Sequence, residues 1–195
     1  MYENSLKLVY ASAAIFCLVG CASIKPVGDS ANLILSTEAP TKINWPAQYQ
    51  PEKVRFYVHN EIFINAPPQK VWHILIDAGK WEKWYPGAFN VSVINSSDGL
   101  LRSDSSFSWN TMGFDFTSEI KEFQPPFRLS WESRRGLIQG YHAWLIIPTE
   151  SGSRVITDEA QHGFLAHLQP IFVPNKLRDL HDVWLQKLKE LAEKQ

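Results

Sequence analysis

Residues 61–86, EIFINAPPQKVWHILIDAGKWEKWYP, restrict the fold more than any other part of the chain. A short apolar run (Ile62, Phe63, Ile64) stops at Asn65-Ala66-Pro67-Pro68, and a helical pattern starts at once. Pro68 suits the first turn of a helix, where the amide it lacks has no intrahelical partner anyway. Val71, Trp72, Leu75 and Ile76 then recur at the three-to-four spacing of one buried helix face. Ala78-Gly79 interrupts the pattern, and Trp81, Trp84 and Tyr85 form an aromatic knot closed by Pro86.

The rest of the chain is read outward from this stretch. Phe56–Ile64 is the first strand, and strand-like runs follow the knot at residues 89–95, 105–111, 114–123, 127–133, 139–148 and 154–162. Gly, Pro and Ser/Asp turn signals separate them. No helix-length segment lies between these runs, so they pair as an antiparallel meander. Over residues 175–194, Leu177, Leu180, Trp184, Leu188 and Leu191 share one face, while Lys187, Lys189, Glu190, Glu193 and Lys194 lie elsewhere. That is the pattern of an amphipathic helix docked on a core.

The amino-terminal segment is set apart from the fold. Lys7 precedes an apolar run over residues 8–19, too short to span a bilayer as a mature helix. The run ends in Leu18-Val19-Gly20-Cys21, which resembles a bacterial lipobox with Cys21 as the lipidated residue. Residues 1–20 then form a lipoprotein signal peptide, 21–54 a tether and lead-in, and 55–195 the domain. An uncleaved amino-terminal anchor is the alternative. With Ala22 after the Cys, resemblance to Gram-negative lipoproteins implies a lipid-anchored protein of the outer membrane, facing the periplasm. Cys17 would leave with the signal, so the mature chain has no disulfide and no Cys for metal or nucleophilic work. Pro26, Pro40, Pro46 and Pro51 mark the lead-in as extended. Ile43, Trp45, Pro46 and Tyr49 are too apolar for a free linker and are expected to lie against the domain.

The ordered string of strand, Ala-Pro-Pro turn, Val-Trp helix and Trp-x-x-Trp-Tyr-Pro resembles the opening of the START-like (SRPBCC) superfamily, polyketide cyclase/dehydrase type. Residues 125–131 (PPFRLSW) are similar to that family's Pro-Pro-Arg-Leu-x-Trp segment. His142, Trp144, Ile146 and Pro148 match its His-x-aromatic-x-aliphatic-x-Pro strand. Residues 154–163 (RVITDEAQHG) resemble its Thr-Arg-Val-Thr-x-Glu-Glu…Gly strand, with Glu159 on the more frequent acidic position. The resemblance covers residues 55–192. It implies an α+β helix-grip fold: a curved antiparallel sheet wrapped around a long C-terminal helix, two short helices after the first strand, and an apolar pocket between. Pro170 and Pro174 depart from the family pattern, so the long helix is expected to begin near Asn175.

A net charge of −1 leaves no basic footprint for nucleic acid. Eight Trp and eleven Phe fit a thick aromatic core or an apolar cavity equally well. The six His show no metal-ligand spacing, and there is neither a nucleophile elbow nor a phosphate loop. No metal, cofactor or catalytic residue is therefore assigned. Strand alternation is more informative. If Trp144 and Ile146 face the pocket, period two brings His142 with them; Val155 likewise brings Thr157, Glu159 and Gln161. A carboxylate there must be paired or neutralised. His142 with Glu159 then either orients a ligand's polar end or fixes strand register. The expected pocket comprises Trp109, Tyr141, His142, Trp144, Thr157, Glu159 and Gln161, with Trp72, Trp81 and Trp84 as plain packing.

Three function classes follow. The leading one is a membrane-tethered module binding a small hydrophobic or amphipathic molecule, lipid or aromatic. The others are a cyclase/dehydrase-like enzyme using His142, Glu159 or a Tyr as acid/base, and a protein-interaction domain.

Overall fold

The computed structural model describes residues 39–164, 166, 168, 171 and 174–194. The lipobox, Cys21 and the start of the tether lie outside the described residues. Among those residues no helix is long and apolar enough to cross a membrane.

Seven strands form one antiparallel sheet: β1 (Phe56–Ile64), β2 (Phe89–Val93), β3 (Ser106–Thr111), β4 (Phe114–Gln124), β5 (Arg128–Arg135), β6 (Ile138–Thr149) and β7 (Gly152–His162). Their order is β1-β7-β6-β5-β4-β3-β2. Each hairpin from β2 to β7 pairs with its chain neighbour, and β1 closes against β7 because helical turns carry the chain away from it. Those turns are α1 (Pro68–Ile76) and a 3-10 segment, Ala78–Lys83. Pro68 occupies the first turn of α1, after Pro67 in extended conformation. A bulge in β4 between Ile120 and Glu122 adds local twist, one device by which the sheet bends.

The last helix, α2 (Lys176–Ala192), lies against the concave face and touches β1, β7 and α1. It begins one residue past Asn175, just after Pro174. Its buried face is Leu177, His181, Trp184, Leu185, Leu188 and Ala192. Leu180 and Leu191 sit at the edge instead, and His181 takes a buried position that the sequence reading gave no role. Trp184 anchors the core: its ring stacks on Tyr85 at 4.2 Å and meets Trp81 and Trp144 edge-on at 5.1 Å. Trp72 and Trp81 are packing residues of the same core, with Trp84 half-buried against it.

A second, smaller cluster covers the convex face. Tyr49, Tyr141, Ala143 and Ala160 are buried there with Ile43, Trp45 and Val54 beside them. The lead-in from residue 43 thus lies on the back of the sheet. This corrects one expectation: Tyr141 is no pocket wall. It has the opposite parity to His142 on β6, so it faces outward and stacks on Tyr49 at 5.3 Å.

Candidate functional site

Between the concave face and α2 the packing is dense at one end and open at the other. The open end is a cavity of about 290 Å³. Its apolar walls come from Trp109, Phe114 and Phe116 on β3 and β4, Trp131 on β5, and Tyr85, Leu177 and Trp184. Its other wall is polar: His142 on β6, Glu159 and Gln161 on β7, and His181 on α2. Gly140 explains how Glu159 fits into this wall. It takes an inward position on β6 between Ile138 and His142, and any Cβ there would stand 3.0 Å from Oε1 of Glu159.

The register makes the polar wall. His142 and Glu159 lie directly opposite on β6 and β7, and Nδ1 of His142 is 3.3 Å from Oε2 of Glu159. Nε2 of His142 is 2.7 Å from the Thr157 hydroxyl. The Gln161 amide donates to Oε1 of Glu159 at 2.6 Å. From the helix side, Nε2 of His181 comes to 3.6 Å from Oε2 of Glu159, and its ring stacks on His142 at 4.7 Å. Burial, reinforced by His181, pushes the His142 pKa down to about 3, so the ring is neutral at ordinary pH. Burial pushes the Glu159 carboxyl up, but His181, His142 and the Gln161 amide outweigh it, and it stays below the usual range.

Of the residues expected from the sequence, Trp109, His142, Glu159 and Gln161 line the cavity together. Trp144 and Thr157 face inward but are not on its wall. Trp144 is stacked on His142 at 5.6 Å and closed off by Trp184, while Thr157 is fully buried behind the imidazole. His181 was missed. Its signal was available: it falls four residues after Leu177 and three before Trp184, on the apolar stripe itself. His142, Glu159 and His181 each offer a ligating atom within 4.8 Å of the others, a set that no linear spacing announces.

Among the described residues, five of the eight buried side-chain polar atoms without a hydrogen-bond partner belong to cavity residues: Trp131 Nε1, Trp184 Nε1, Gln161 Oε1 and both nitrogens of His181. Buried polar groups are ordinarily satisfied, so these atoms are available to whatever fills the cavity, water included.

Comparison with known proteins agrees with this architecture. Residues 55–193 match the family described as polyketide cyclase / dehydrase and lipid transport. A hypothetical protein of Helicobacter pylori, solved as a crystal structure, superposes with a TM-score of 0.73 at 28% identity, covering 80% of this chain and 98% of that one. An aromatase/cyclase from a Streptomyces species gives a TM-score of 0.60 at 11% identity, over 71% of this chain and 93% of that one. Norcoclaurine synthase from Thalictrum flavum gives 0.57 at 12% identity, over 80% and 96% respectively. The last two share the fold alone. No curated protein matches the sequence.

Proposed function

The chain belongs to the polyketide cyclase / dehydrase and lipid transport family, and from that membership we propose that it is a binding protein for a small apolar or amphipathic molecule. The ligand sits between the sheet and α2, its apolar body against Trp109, Phe116, Trp131 and Trp184 and its polar end toward Glu159, Gln161 and His181. The observation that carries this reading is the concentration of unsatisfied buried polar atoms around one apolar-walled cavity. About 290 Å³ is roughly the volume of ten waters. That suits a one- or two-ring aromatic or a short acyl chain rather than a complete two-chain lipid. Most affinity then comes from burial, and the polar groups set orientation.

Gly140→Val tests this directly. Its side chain enters the cavity at the polar wall, and β-branched residues are at home in strands. A naphthalene-sulfonate fluorophore should lose at least tenfold in affinity while circular dichroism holds, with Tm lowered by the displacement of Glu159. Undiminished fluorophore binding by a folded variant would remove the cavity from the reading.

The neutral His142 beside an ionised Glu159 favours a second reading, acid/base catalysis on the bound molecule. It gains if Glu159→Gln abolishes turnover of a substrate while fluorophore binding survives. The Leu18-Val19-Gly20-Cys21 motif supports a membrane tether that keeps the cavity beside hydrophobic cargo. In a Gram-negative host the chain should incorporate labelled palmitate and Cys21→Ser should not; label retained by the variant would sink the tether.

A further inference from the structure

We infer that His142, Glu159 and His181 form a binding site for a divalent transition metal of the zinc class, with an open coordination position facing the cavity. The inference rests on the cavity reading, since the cavity's occupant would take that position.

The separations are the first argument. Tetrahedral zinc bound at about 2.0–2.1 Å by nitrogen and oxygen sets neighbouring donor atoms about 3.3–3.4 Å apart. Here Nδ1 of His142 and Nε2 of His181 stand 3.3 Å and 3.6 Å from the same oxygen, Oε2 of Glu159. Both distances exceed the usual N–H···O hydrogen bond; the first matches the edge of a coordination tetrahedron and the second is slightly longer. All three donor atoms lie within 4.8 Å of one another, so a bound ion would draw the helix-side ligand in.

The hydrogen bonding is the second. His181 is 1% exposed, yet neither ring nitrogen has a hydrogen-bond partner. On His142, the tautomer whose Nε2–H donates to Thr157 leaves the Nδ1 lone pair facing a carboxylate. In that tautomer a cation between the two atoms makes the arrangement favourable, whereas a Thr157 hydroxyl donating to Nε2 would instead turn Nδ1–H toward the carboxylate. Thr157 on His142 and Gln161 on the other oxygen of Glu159 are the outer partners that metal ligands ordinarily have.

The third argument is the shape of the site. Three ligands come from three elements, β6, β7 and α2, and all three residues line the cavity. Three protein donors with one open position is the arrangement of zinc sites that bind a small molecule directly. A dication with one carboxylate keeps a net positive charge, which an apolar surround leaves uncompensated. The occupant it favours is a small aromatic or acyl monoanion with an oxygen donor, such as a carboxylate or enolate.

The test uses the full chain, purified in detergent and stripped with a chelator. Cobalt(II) is titrated by visible absorption and zinc by competition, for wild type, His181→Gln, Glu159→Gln and, as a control outside the cluster, His59→Ala. One equivalent should bind with the intense ligand-field bands of a tetrahedral site, and zinc should raise Tm. Each cluster variant should weaken binding at least tenfold, and His59→Ala should not. Absence of stoichiometric uptake by wild type, or uptake retained by both cluster variants, overturns the metal site. If one cluster variant fails to fold, the other decides. Fluorophore binding to the stripped protein separates the two claims. Binding without metal uptake overturns the inference and leaves the cavity reading standing; metal uptake without fluorophore binding does the reverse.

Discussion

Two glutamates on opposite faces of the same sheet show how a carboxylate is buried for structure and how one is held for use. Glu132 on β5 faces the convex side. Its oxygens accept from the Tyr49 hydroxyl at 2.5 Å and from Arg134 at 2.8 Å and 3.2 Å, with Lys121 3.9 Å away. Burial pushes its pKa up, and Tyr49 and Arg134 more than undo that. Glu159 on β7 faces the cavity. It has one short bond, from Gln161, and two imidazoles at longer range. The outer carboxylate has its partners supplied by the fold and pins the lead-in to the domain. The inner one has capacity left over, and that surplus is what a ligand or cation can use.

The severest way to break the comparison is to remove the scaffold on which both carboxylates depend. Trp184 is fully buried and touches Tyr85, Trp81, Trp131, Trp144 and His142. Trp184→Ala should cost about 3–5 kcal/mol, close to the whole stability of an ordinary domain. Lys187→Ala, half-buried on the same helix and off its buried face, where it pairs with Glu190, should stay within about 0.5 kcal/mol. Urea unfolding of both variants decides. Equal losses would mean that α2 does not grip the core as described.

Next in size is the outer carboxylate. Glu132→Ala strands the buried Tyr49 hydroxyl, at about 1–3 kcal/mol, while Arg134 turns to solvent. Stability should fall and fluorophore affinity should not. A drop in affinity at unchanged stability would erase the distinction between the faces.

How much of this was readable beforehand follows from what each feature leaves in the sequence. Strand and helix limits were legible because proline, glycine and apolar period act locally: Phe56–Ile64 and Pro68–Ile76 stop where their residues demand. His142 opposite Glu159 was legible because period two fixes parity on both strands. The same rule, applied to Tyr141, already excluded it from the pocket. Trp144 and Thr157 show the limit of parity, which tells the face but not the depth. His181 was hidden because a polar residue on an apolar stripe leaves no pattern of its own. The cavity was hidden because residues from β3 to β7 and α2 enclose it together, and the room that Gly140 leaves for Glu159 has meaning only once its neighbours are placed.

The comparison also has a pH signature. His142 titrates near 6.5 when unfolded and is pushed down to about 3 in the fold. Above pH ~6.5 both states are neutral and stability is at its full value. As pH falls toward 3, the unfolded chain takes a proton that the folded ring refuses, so stability is lost progressively, at up to ~1.4 kcal/mol per pH unit. His142→Gln should flatten that slope between pH 6.5 and 5. Glu132→Gln should not, because its carboxyl is depressed below 4.5 and its contribution is lost only under that pH. Thermal melts of the three proteins across this range check it. A slope unchanged in His142→Gln would place the responsible group elsewhere.

The smallest expected change in stability is at the inner carboxylate, and it is also the most telling. Glu159→Gln keeps the shape of the side chain and an oxygen for the Gln161 amide, so Tm should move by less than about 1 kcal/mol requires, a few degrees at most. Ligand choice should change instead. In chelator-stripped protein the Glu159 carboxylate stands on the cavity wall without a bound metal, and it disfavours an anionic head group brought close to it, Arg135 at the same cavity notwithstanding. Replacing it with an amide should shift preference toward an anionic naphthalene over its neutral analogue by about 2–10-fold, or ~0.4–1.4 kcal/mol. Glu132→Gln, on the far side of the sheet, should leave that ratio alone. Competitive fluorescence titration of the paired probes reads the ratio without depending on absolute affinity. A ratio that moves in Glu132→Gln and not in Glu159→Gln would mean that the ligand's polar end lies on the convex face, where Tyr49 and Arg134 already claim the carboxylate.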